Sequence, residues 1–284
     1  MSVTLTAKYA PYTDEILKAE SKKALFTNTD YDWTGAHSIL VWKISTVALN
    51  DYARNRFADD EESAEAISRY GELYDLNAAT EELLLSRDRS FIFNIDRLDT
   101  DETAGQLEAG SALARELREV VIPEIDTYVI NKMVAGAGTT PAAASLTKSN
   151  IYEKILAGSE ALDDAEVPDT ERVLVVSPAV YSIMKQAVEF DNTDVGTEMR
   201  LKGVVGLLDG MAVVRVPSVR LPQNFGFMVC HPCATVAPVK LEDYGVHNDT
   251  VLSSGSIVTG RVCYDAFVLD NKANAIYYQA VSGS

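Results

Sequence analysis

The residues whose spacing most resembles a chemical site are Cys230 and Cys233, which enclose a histidine and a proline in the sequence CHPC. Two cysteines separated by two residues can form the reactive pair of a thiol–disulfide oxidoreductase. Such pairs stand at the amino terminus of a helix, whose dipole lowers the pKa of the first thiol. The segment between Cys233 and Pro238 is short and contains β-branched residues, so we predict no helix there. We interpret both cysteines as small buried residues and keep a cytoplasmic thiol oxidoreductase as an alternative.

No other combination of residues predicts catalysis. A zinc site would need a second ligand pair, and Cys263 and His247 are available, but their spacing matches no zinc finger. The histidines His37, His231 and His247 lie far apart in the sequence, and no Gly-x-Ser-x-Gly motif is present. We therefore predict no catalytic residue, no metal site and no cofactor.

Two further segments have the residue types of ion sites. Asp96, Asp99, Asp101 and Glu102 form an acidic run that could bind a hard cation such as calcium. The run lacks the glycine and the later glutamate of a helix–loop–helix calcium site, so we interpret it as acidic residues at the positive end of a helix. The stretch GAGTT at 136–140 looks like a phosphate loop, but it follows a helix and lacks the lysine–serine pair.

The composition is globular: of 284 residues, 47% are hydrophobic and 24% are charged. No run of about 20 apolar residues predicts a membrane helix, and the start of the chain does not read as a secretory signal. The formal net charge is −17, and lysine and arginine form no stripe interleaved with aromatic residues. Both features argue against a surface that grips nucleic acid. Three cysteines are too few for a disulfide framework, so we expect a reducing cytoplasm.

The clearest predicted element is a long amphipathic helix. Thr103 and Gln106 form a capping-box pair, after which apolar residues recur at every fourth position. They are Leu113, Leu117, Val121, Ile125, Val129 and Met133. Pro123 lies inside this stripe and predicts a bend rather than an end, because the pattern resumes in register. The helix should be about 30 residues long and end in a flexible break at 135–145.

The other segments predict an interlaced α+β chain. Two strands joined at residues 87–89 are expected in TEELLLSRDRSFIFNI. A helix that ends before Pro168, the buried strand RVLVVS and a helix with Pro178 in its first turn follow. A polar loop at 189–203 leads into mostly β structure, with a polar turn at 244–255.

The order of these elements resembles that of the major capsid proteins of tailed bacteriophages, the Hong Kong-type capsid fold. The resemblance extends from about Trp33 to Tyr278. It rests on the segments WTGAHSILVWKISTVALNDYARN, FIFNIDRLDTDET, LREVVIPEIDTYVINKMV, RVLVVSPAVYSIMKQA, GVVGLLDGMAVVRVPSVRLP, HPCATVAPVKLE and GRVCYDAFVLDNKANAIYY. None of these segments is a catalytic signature.

The resemblance implies an α+β chain with six parts. They are an N-terminal arm (1–36), an extended β-hairpin loop (37–100), a spine helix with part of a peripheral domain (101–150), an axial domain (151–237), peripheral-domain strands (238–270) and a C-terminal return to the axial domain (271–284). We expect the arm and the hairpin to make most of the contacts between subunits.

The resemblance also implies a structural protein rather than an enzyme, whose copies form the hexamers and pentamers of an icosahedral shell around double-stranded phage DNA. It implies assembly in the host cytoplasm, a place in the virion, a scaffolding protein and a portal as partners, and no membrane. An acidic chain would face the packaged DNA without binding it specifically. Within the same fold, the shell protein of an encapsulin-type bacterial compartment is the alternative.

Two features depart from the pattern of some family members. Some join neighbouring subunits by an isopeptide bond between a lysine of the extended loop and an asparagine near the end of the peripheral domain. Asn248 lies where such an acceptor would be, but no lysine occurs between Lys43 and Lys132. We therefore predict that the extended loop has no donor and that no crosslink forms. A long charged helix before the arm is also missing, which implies a separate scaffolding protein or an earlier removal.

Overall fold

The computed structural model describes residues 21–28, 38–44, 46–52, 70, 75, 78–98, 108–187, 204–248 and 254–282. The chain divides into two compact units. The hairpin unit is Gly35–Leu85, and the body comprises Met1–Thr34 and Ser86–Ser284. Both units are built from elements that confirm the predicted α+β class. No helix within the described ranges is long and apolar enough to span a membrane.

The hairpin unit is built on two antiparallel strands, β1 (Ser38–Ile44) and β2 (Ala78–Leu84). The sequence of β1, SILVWKI, is rich in the β-branched and aromatic residues that suit a strand. Lys43 of β1 and Glu81 of β2 form an ion pair across the ladder, with 2.9 Å between Nζ and Oε2. The pair stabilises the register because it joins diagonal neighbours on one face.

The body contains a three-stranded antiparallel sheet with the strand order β3–β10–β9. They are β3 (Arg87–Asp96), β9 (Val239–Asn248) and β10 (Gly255–Tyr264). The central strand needs a glycine at Gly260, where an added Cβ would lie 2.2 Å from the ring of Phe91. Without a side chain at this position, the Phe91 ring also stacks on Tyr244 of β9, with 6.2 Å between centroids.

A five-stranded sheet in the body has the order β12–β7–β4–β6–β5. Its strands are β4 (Val173–Val176), β5 (Val204–Leu208), β6 (Met211–Arg215), β7 (Phe225–Cys230) and β12 (Ile276–Ala280). Asp209 and Gly210 connect β5 to β6 with positive φ angles of 47° and 77°. This is the two-residue turn that Asp-Gly favours between antiparallel strands. The short strands β8 (Thr235–Val236) and β11 (Phe267–Val268) pair with each other.

Helix α1 has three consecutive parts: Ala109–Glu116 is α-helical, Leu117–Val121 is π-helical and Ile122–Ala135 is α-helical again. The prediction that the chain stays helical through Pro123 is confirmed. Proline has no N–H, and its ring crowds the carbonyl of the fourth residue before it in a regular helix. A π-helical turn directly before Pro123 is wider than an α-helical turn and relieves this crowding.

The apolar stripe of α1 is buried only in its second half. Val121, Ile125, Val129 and Met133 are buried, whereas Leu113 and Leu117 are half-buried. The predicted capping pair, Thr103 and Gln106, lies outside the described residues, and the described helix starts after Glu108. The two other helices follow the prediction and are α2 (Ile151–Asp164) and α3 (Pro178–Met184). At the start of α3, the Ser177 hydroxyl accepts a hydrogen bond from the Val180 N–H at 3.3 Å.

The five-stranded sheet separates two apolar clusters. Val173 and Val175 of β4 face the cluster that contains α1, while Leu174 and Val176 face the cluster that contains α2 and α3. All four residues are buried because the sheet is covered on both faces. This double cover explains the continuous apolar run of β4, which the sequence predicts to be a buried strand.

Two predicted connections are wrong. Residues 87–89 lie inside β3, and the join between β2 and β3 is at residues 85–86. β9 continues to Asn248, so the predicted turn at 244–255 begins later than expected. Local composition could not reveal either boundary, because both strands are extended by pairing with β10. The polar loop predicted at 189–203 lies outside the described residues.

The predicted flexible break after α1 is also wrong. The Gly138 N–H donates to the Ala273 carbonyl at 2.9 Å, and the Ala144 N–H donates to the Ala280 carbonyl at 3.1 Å. A Cβ at Gly138 would lie 2.6 Å from the backbone of Ala273 and Asn274. This glycine therefore allows two chain segments to approach closely, and GAGTT is a packing segment rather than a phosphate loop.

Candidate functional site

One face of the hairpin unit exposes three large apolar side chains. Leu40 and Trp42 alternate onto the same face of β1, and Leu84 of β2 lies diagonally across from Leu40. Their exposed fractions are 56% for Leu40, 67% for Trp42 and 49% for Leu84. Between them lie the exposed polar residues Thr80 and Glu82. We call these five residues the hairpin face; an exposed apolar surface with polar neighbours is typical of a protein–protein contact.

The hairpin unit is also the part of the chain in which exposed apolar side chains concentrate. Of thirteen such large side chains among the described residues, seven belong to this unit. Besides the hairpin face they are Val47, Leu49, Tyr52 and Tyr70. The rings of Tyr52 and Tyr70 meet edge to face at 5.1 Å. This unit therefore leaves more apolar surface uncovered than a chain that functions alone would leave.

Lys43 corrects one prediction about the hairpin. The predicted extended loop (37–100) does contain a lysine: Lys43 lies in β1 and is the one lysine in residues 35–85. Its ammonium group is half-buried and forms the ion pair with Glu81. Asn248 is the last residue of β9, and its Oδ1 accepts a hydrogen bond from the Ser256 hydroxyl at 2.7 Å. The absence of a crosslink stays a prediction and now depends on the pairing of Lys43.

Residues 21–28 pack against a buried ion pair of the body. Arg220 Nη1 lies 2.7 Å from Asp126 Oδ2, and both side chains are about 5% exposed or less. The second oxygen of Asp126 accepts a hydrogen bond from the Ser21 hydroxyl at 2.6 Å. Lys22 donates to the Arg215 carbonyl at 2.8 Å, and burial followed by the nearby arginine cations lowers the pKa of this lysine. Phe26, a few residues later, is fully buried.

A second group of polar contacts lies between β3, β10 and the start of the last part of α1. The Arg89 Nε–H donates to Glu124 at 2.9 Å, and the Tyr264 hydroxyl donates to the same oxygen at 3.0 Å. Burial, and then the hydrogen bond to Glu124, raises the pKa of Tyr264 to about 12. This hydroxyl therefore remains protonated and acts as a structural donor rather than as a base.

Cys230 and Cys233 lie close together but lack the features of a redox pair. Cys230 ends β7, and burial raises the pKa of its thiol to about 12. Cys233 lies in a single 3-10 turn (Pro232–Ala234), where we predicted no helix, and its N–H donates to Nδ1 of His231 at 3.1 Å. Burial also raises the pKa of Cys233. A thiol that stays protonated at neutral pH is a poor nucleophile, which argues against an oxidoreductase.

The remaining candidate ligands are not brought together. His247 lies opposite Ile257, six residues along β10 from Cys263, or about 20 Å at the rise of a strand. The described residues contain no group of three or more His, Cys, Asp or Glu side chains that could hold a metal ion. In the acidic run, Asp96 Oδ1 accepts a hydrogen bond from the Leu98 N–H at 2.9 Å. Asp99, Asp101, Glu102 and His37 lie outside the described residues.

The sequence analysis did not identify the exposed apolar residues of the hairpin face or the buried aspartates of the body. The nearly continuous apolar run in SILVWKI predicts a strand with two apolar faces, which is a signal for a strand covered on both sides. In the paired strand, Thr80 and Glu82 lie opposite Trp42 and Leu40, so the neighbours of these two side chains on the same face are polar. Isolated aspartates inside apolar stretches, Asp126 in VVIPEIDTYVI and Asp265 in RVCYDAFVL, are the other missed signal. Both are buried and hydrogen-bonded.

Comparison with known proteins agrees with this architecture. The model of a family described as phage capsid protein matches residues 86–273, which is 188 of the 284 residues. The match begins at the first residue of the body after the hairpin unit. No curated protein matches the chain.

Solved structures of phage capsids share the fold. A structure from Mycobacterium phage Che8 has 17% identity and a TM-score of 0.74, with 100% of both chains covered. The capsid structure of cyanophage P-SCSP1u has 12% identity and a TM-score of 0.73, with 99% of this chain and 93% of the other covered. The mature capsid of bacteriophage PhiM1 has 13% identity and a TM-score of 0.70, with the same coverage. The chain therefore belongs to the phage capsid protein family and is a component of the virion.

Proposed function

We propose that this capsid protein is the major coat subunit and that its copies form the hexamers and pentamers of an icosahedral shell enclosing double-stranded phage DNA. The observation that carries the proposal is the hairpin face. Leu40, Trp42 and Leu84 remain about half exposed or more in one chain. Burial of apolar surface stabilises a contact by about 25 cal/mol per Å². A neighbouring copy that covers this face would gain that energy, and a closed shell repeats the gain at every subunit.

The domain assignment supports the same role. We propose that α1 is the spine helix, that the five-stranded sheet with α2 and α3 is the axial domain, and that β3–β10–β9 is the peripheral sheet. We propose that the hairpin unit, Gly35–Leu85, represents the extended loop, for which residues 37–100 were predicted. We propose that the described residues 21–28 are part of the arm, in which Ser21 and Phe26 contact the rest of the body. The other predicted boundaries remain proposals.

The negative charge of the chain supports a protein that surrounds DNA without binding it tightly. The formal net charge of −17 opposes binding to the phosphate backbone. We propose that packaged DNA contacts the shell without specific binding, that a scaffolding protein and a portal assist assembly, and that the protein is not an enzyme. The high pKa of the buried Cys230 thiol supports the last point.

Electron microscopy of the purified protein tests the proposal. We expect closed shells or rings of five and six subunits from the natural chain. Trp42→Ala should prevent assembly while the chain remains folded, because this side chain is two thirds exposed. Val219→Ala is the matched control, since it removes an exposed apolar side chain from the body. Dispersed monomers of the natural chain, with or without scaffolding protein, would contradict the proposal.

The contents of the shell separate the phage role from the alternative role. Particles isolated from infected or induced cells should contain double-stranded DNA and a portal. Shells that contain a protein cargo and no DNA would instead indicate a bacterial compartment of the encapsulin type. Insulin-reductase activity from dispersed chains would favour the thiol oxidoreductase.

A further inference from the structure

A single buried carboxylate holds the point at which the chain leaves the hairpin unit. Ser86 is the first residue of the body after that unit. Its N–H and its hydroxyl both donate to Asp265 Oδ2, at 2.8 Å and 2.7 Å. Two hydrogen bonds from one residue to one oxygen fix the peptide plane between Leu85 and Ser86, because neither the backbone nor the side chain can then rotate freely.

The other oxygen of Asp265 extends this contact to the long helix. Asp265 Oδ1 accepts hydrogen bonds from the Tyr128 hydroxyl and from the Ala266 N–H, each at 2.8 Å. Tyr128 lies in the last part of α1, and Asp265 lies directly after β10. The carboxylate therefore joins three parts of the body: the residue that follows the hairpin, the long helix and the link from β10 to β11.

Two cations strengthen the same junction through the ring of Tyr128. The guanidinium of Arg87, next to Ser86 in the chain, lies 4.7 Å from the ring centroid, and the ammonium of Lys132 lies 5.5 Å from it. Cations at these distances are attracted to an aromatic ring. Two consecutive residues, Ser86 and Arg87, are thus bound to one helical tyrosine, the first through Asp265 and the second directly.

The chemistry requires a carboxylate at this position. Asp265 is 2% exposed and accepts four hydrogen bonds from neutral donors. Burial alone would raise the pKa of Asp265, but the bonds from Ser86, Ala266 and Tyr128 hold it below its usual value. An ionised carboxylate accepts on both oxygens, whereas an asparagine side chain accepts on one and donates from the other. Asparagine would therefore leave one pair of donors without an acceptor.

We infer that Asp265 is a positioning residue for assembly: it holds Ser86 to the long helix and so sets where the hairpin leaves the body. The inference rests on the proposed shell function, because the hairpin face must reach a neighbouring copy from a defined starting point. A few weak contacts at each subunit interface require consistent geometry to close a shell.

Asp265→Asn in the full chain tests the inference, with Asp243→Asn as the matched control. The control makes the same substitution at an exposed aspartate of β9. We expect faster hydrogen exchange at the Ser86 amide in Asp265→Asn and a retained cooperative unfolding transition. Electron microscopy should show loss of most closed shells and irregular or open assemblies in their place. The control should assemble like the natural chain.

Single-donor variants keep the test decisive if Asp265→Asn does not fold. Ser86→Ala removes the hydroxyl next to the hairpin, and Tyr128→Phe removes only the helical hydroxyl while its ring stays available to Arg87. Both should shift assembly toward irregular particles, and Ser86→Thr should restore closed shells. Closed shells of normal number and size from Asp265→Asn, or from both Ser86→Ala and Tyr128→Phe, would overturn the inference while leaving the shell function intact. If the natural chain forms no shells, the proposed function itself fails.

Discussion

The five-stranded sheet of the body and the hairpin unit use similar side chains with opposite results. In the sheet, every residue of Val173–Val176 is buried, and Phe227 of the neighbouring strand is 0% exposed. In the hairpin unit, Leu40 and Trp42 are more than half exposed. Helices of the same chain cover both faces of the sheet. In the hairpin unit, the described residues provide no second layer over Leu40 and Trp42. The stability of the sheet is therefore a property of one chain, and the proposed function assigns the burial of the hairpin face to the assembly.

The largest change in the free energy of unfolding is expected from a substitution in the five-stranded sheet. Phe227→Ala removes a fully buried ring that stacks on Tyr277, with 6.1 Å between centroids. We expect the free energy of unfolding of the body to fall by about 3–5 kcal/mol, because a large buried ring leaves a cavity. Chemical denaturation of the unassembled chain measures this change.

Trp42→Ala tests the hairpin unit by the same chemical denaturation. Because its ring is mostly exposed, the free energy of unfolding of the unassembled chain should change by about 0.5 kcal/mol or less. If both substitutions destabilise the chain equally, the hairpin face belongs to the core of the monomer and the contrast between the two regions disappears.

An effect smaller than that of Phe227→Ala is expected where β7 ends. Cys230→Ala and Cys233→Ala each remove one sulfur from the body, and each should cost about 1 kcal/mol of unfolding free energy through lost packing. Assembly should remain largely intact, since neither thiol is needed for chemistry. Denaturation and electron microscopy of both variants check this. Complete loss of shells would reopen the question of a chemical role for the CHPC sequence.

The smallest expected effect is an unchanged band in denaturing electrophoresis. The amine of Lys43 is held by Glu81, and Asn248 is hydrogen-bonded to Ser256, so we expect no isopeptide bond between subunits. Mature particles should dissolve into single chains. A ladder of covalent multimers that disappears in Lys43→Arg would contradict this prediction and would give the hairpin a covalent function.

Much of the fold could be predicted because its signals are local. Apolar residues at helical spacing marked α1, and Pro178 marked the first turn of α3. The resemblance in element order predicted the family. The candidate site could not be predicted in the same way, because an exposed Trp42 and a buried one have the same local sequence signals.

The errors have a common physical origin. The bounds of β3 and β9 depend on β10, which lies far along the chain from Arg87. The segment after α1 looks flexible by composition, but hydrogen bonds to residues near Ala273 and Ala280 hold it in place. The hydrogen bonds that place β3 and the segment after α1 join residues distant in sequence, so no short window contains that information. The end of β9 is set closer by, because Asn248 pairs with Ser256 of β10.

The sequence by itself determined most of the helical and extended segments and the positions at which glycine and proline interrupt them. It also determined that the chain is acidic and that its order of elements resembles that of capsid proteins. These properties depend on neighbours within a few residues. Only the tertiary structure decided that Asp265 binds Ser86 and Tyr128, that Lys43 pairs with Glu81, and that the hairpin face stays exposed. Each of these depends on which distant groups meet, and on how much surface is left over when one chain has folded.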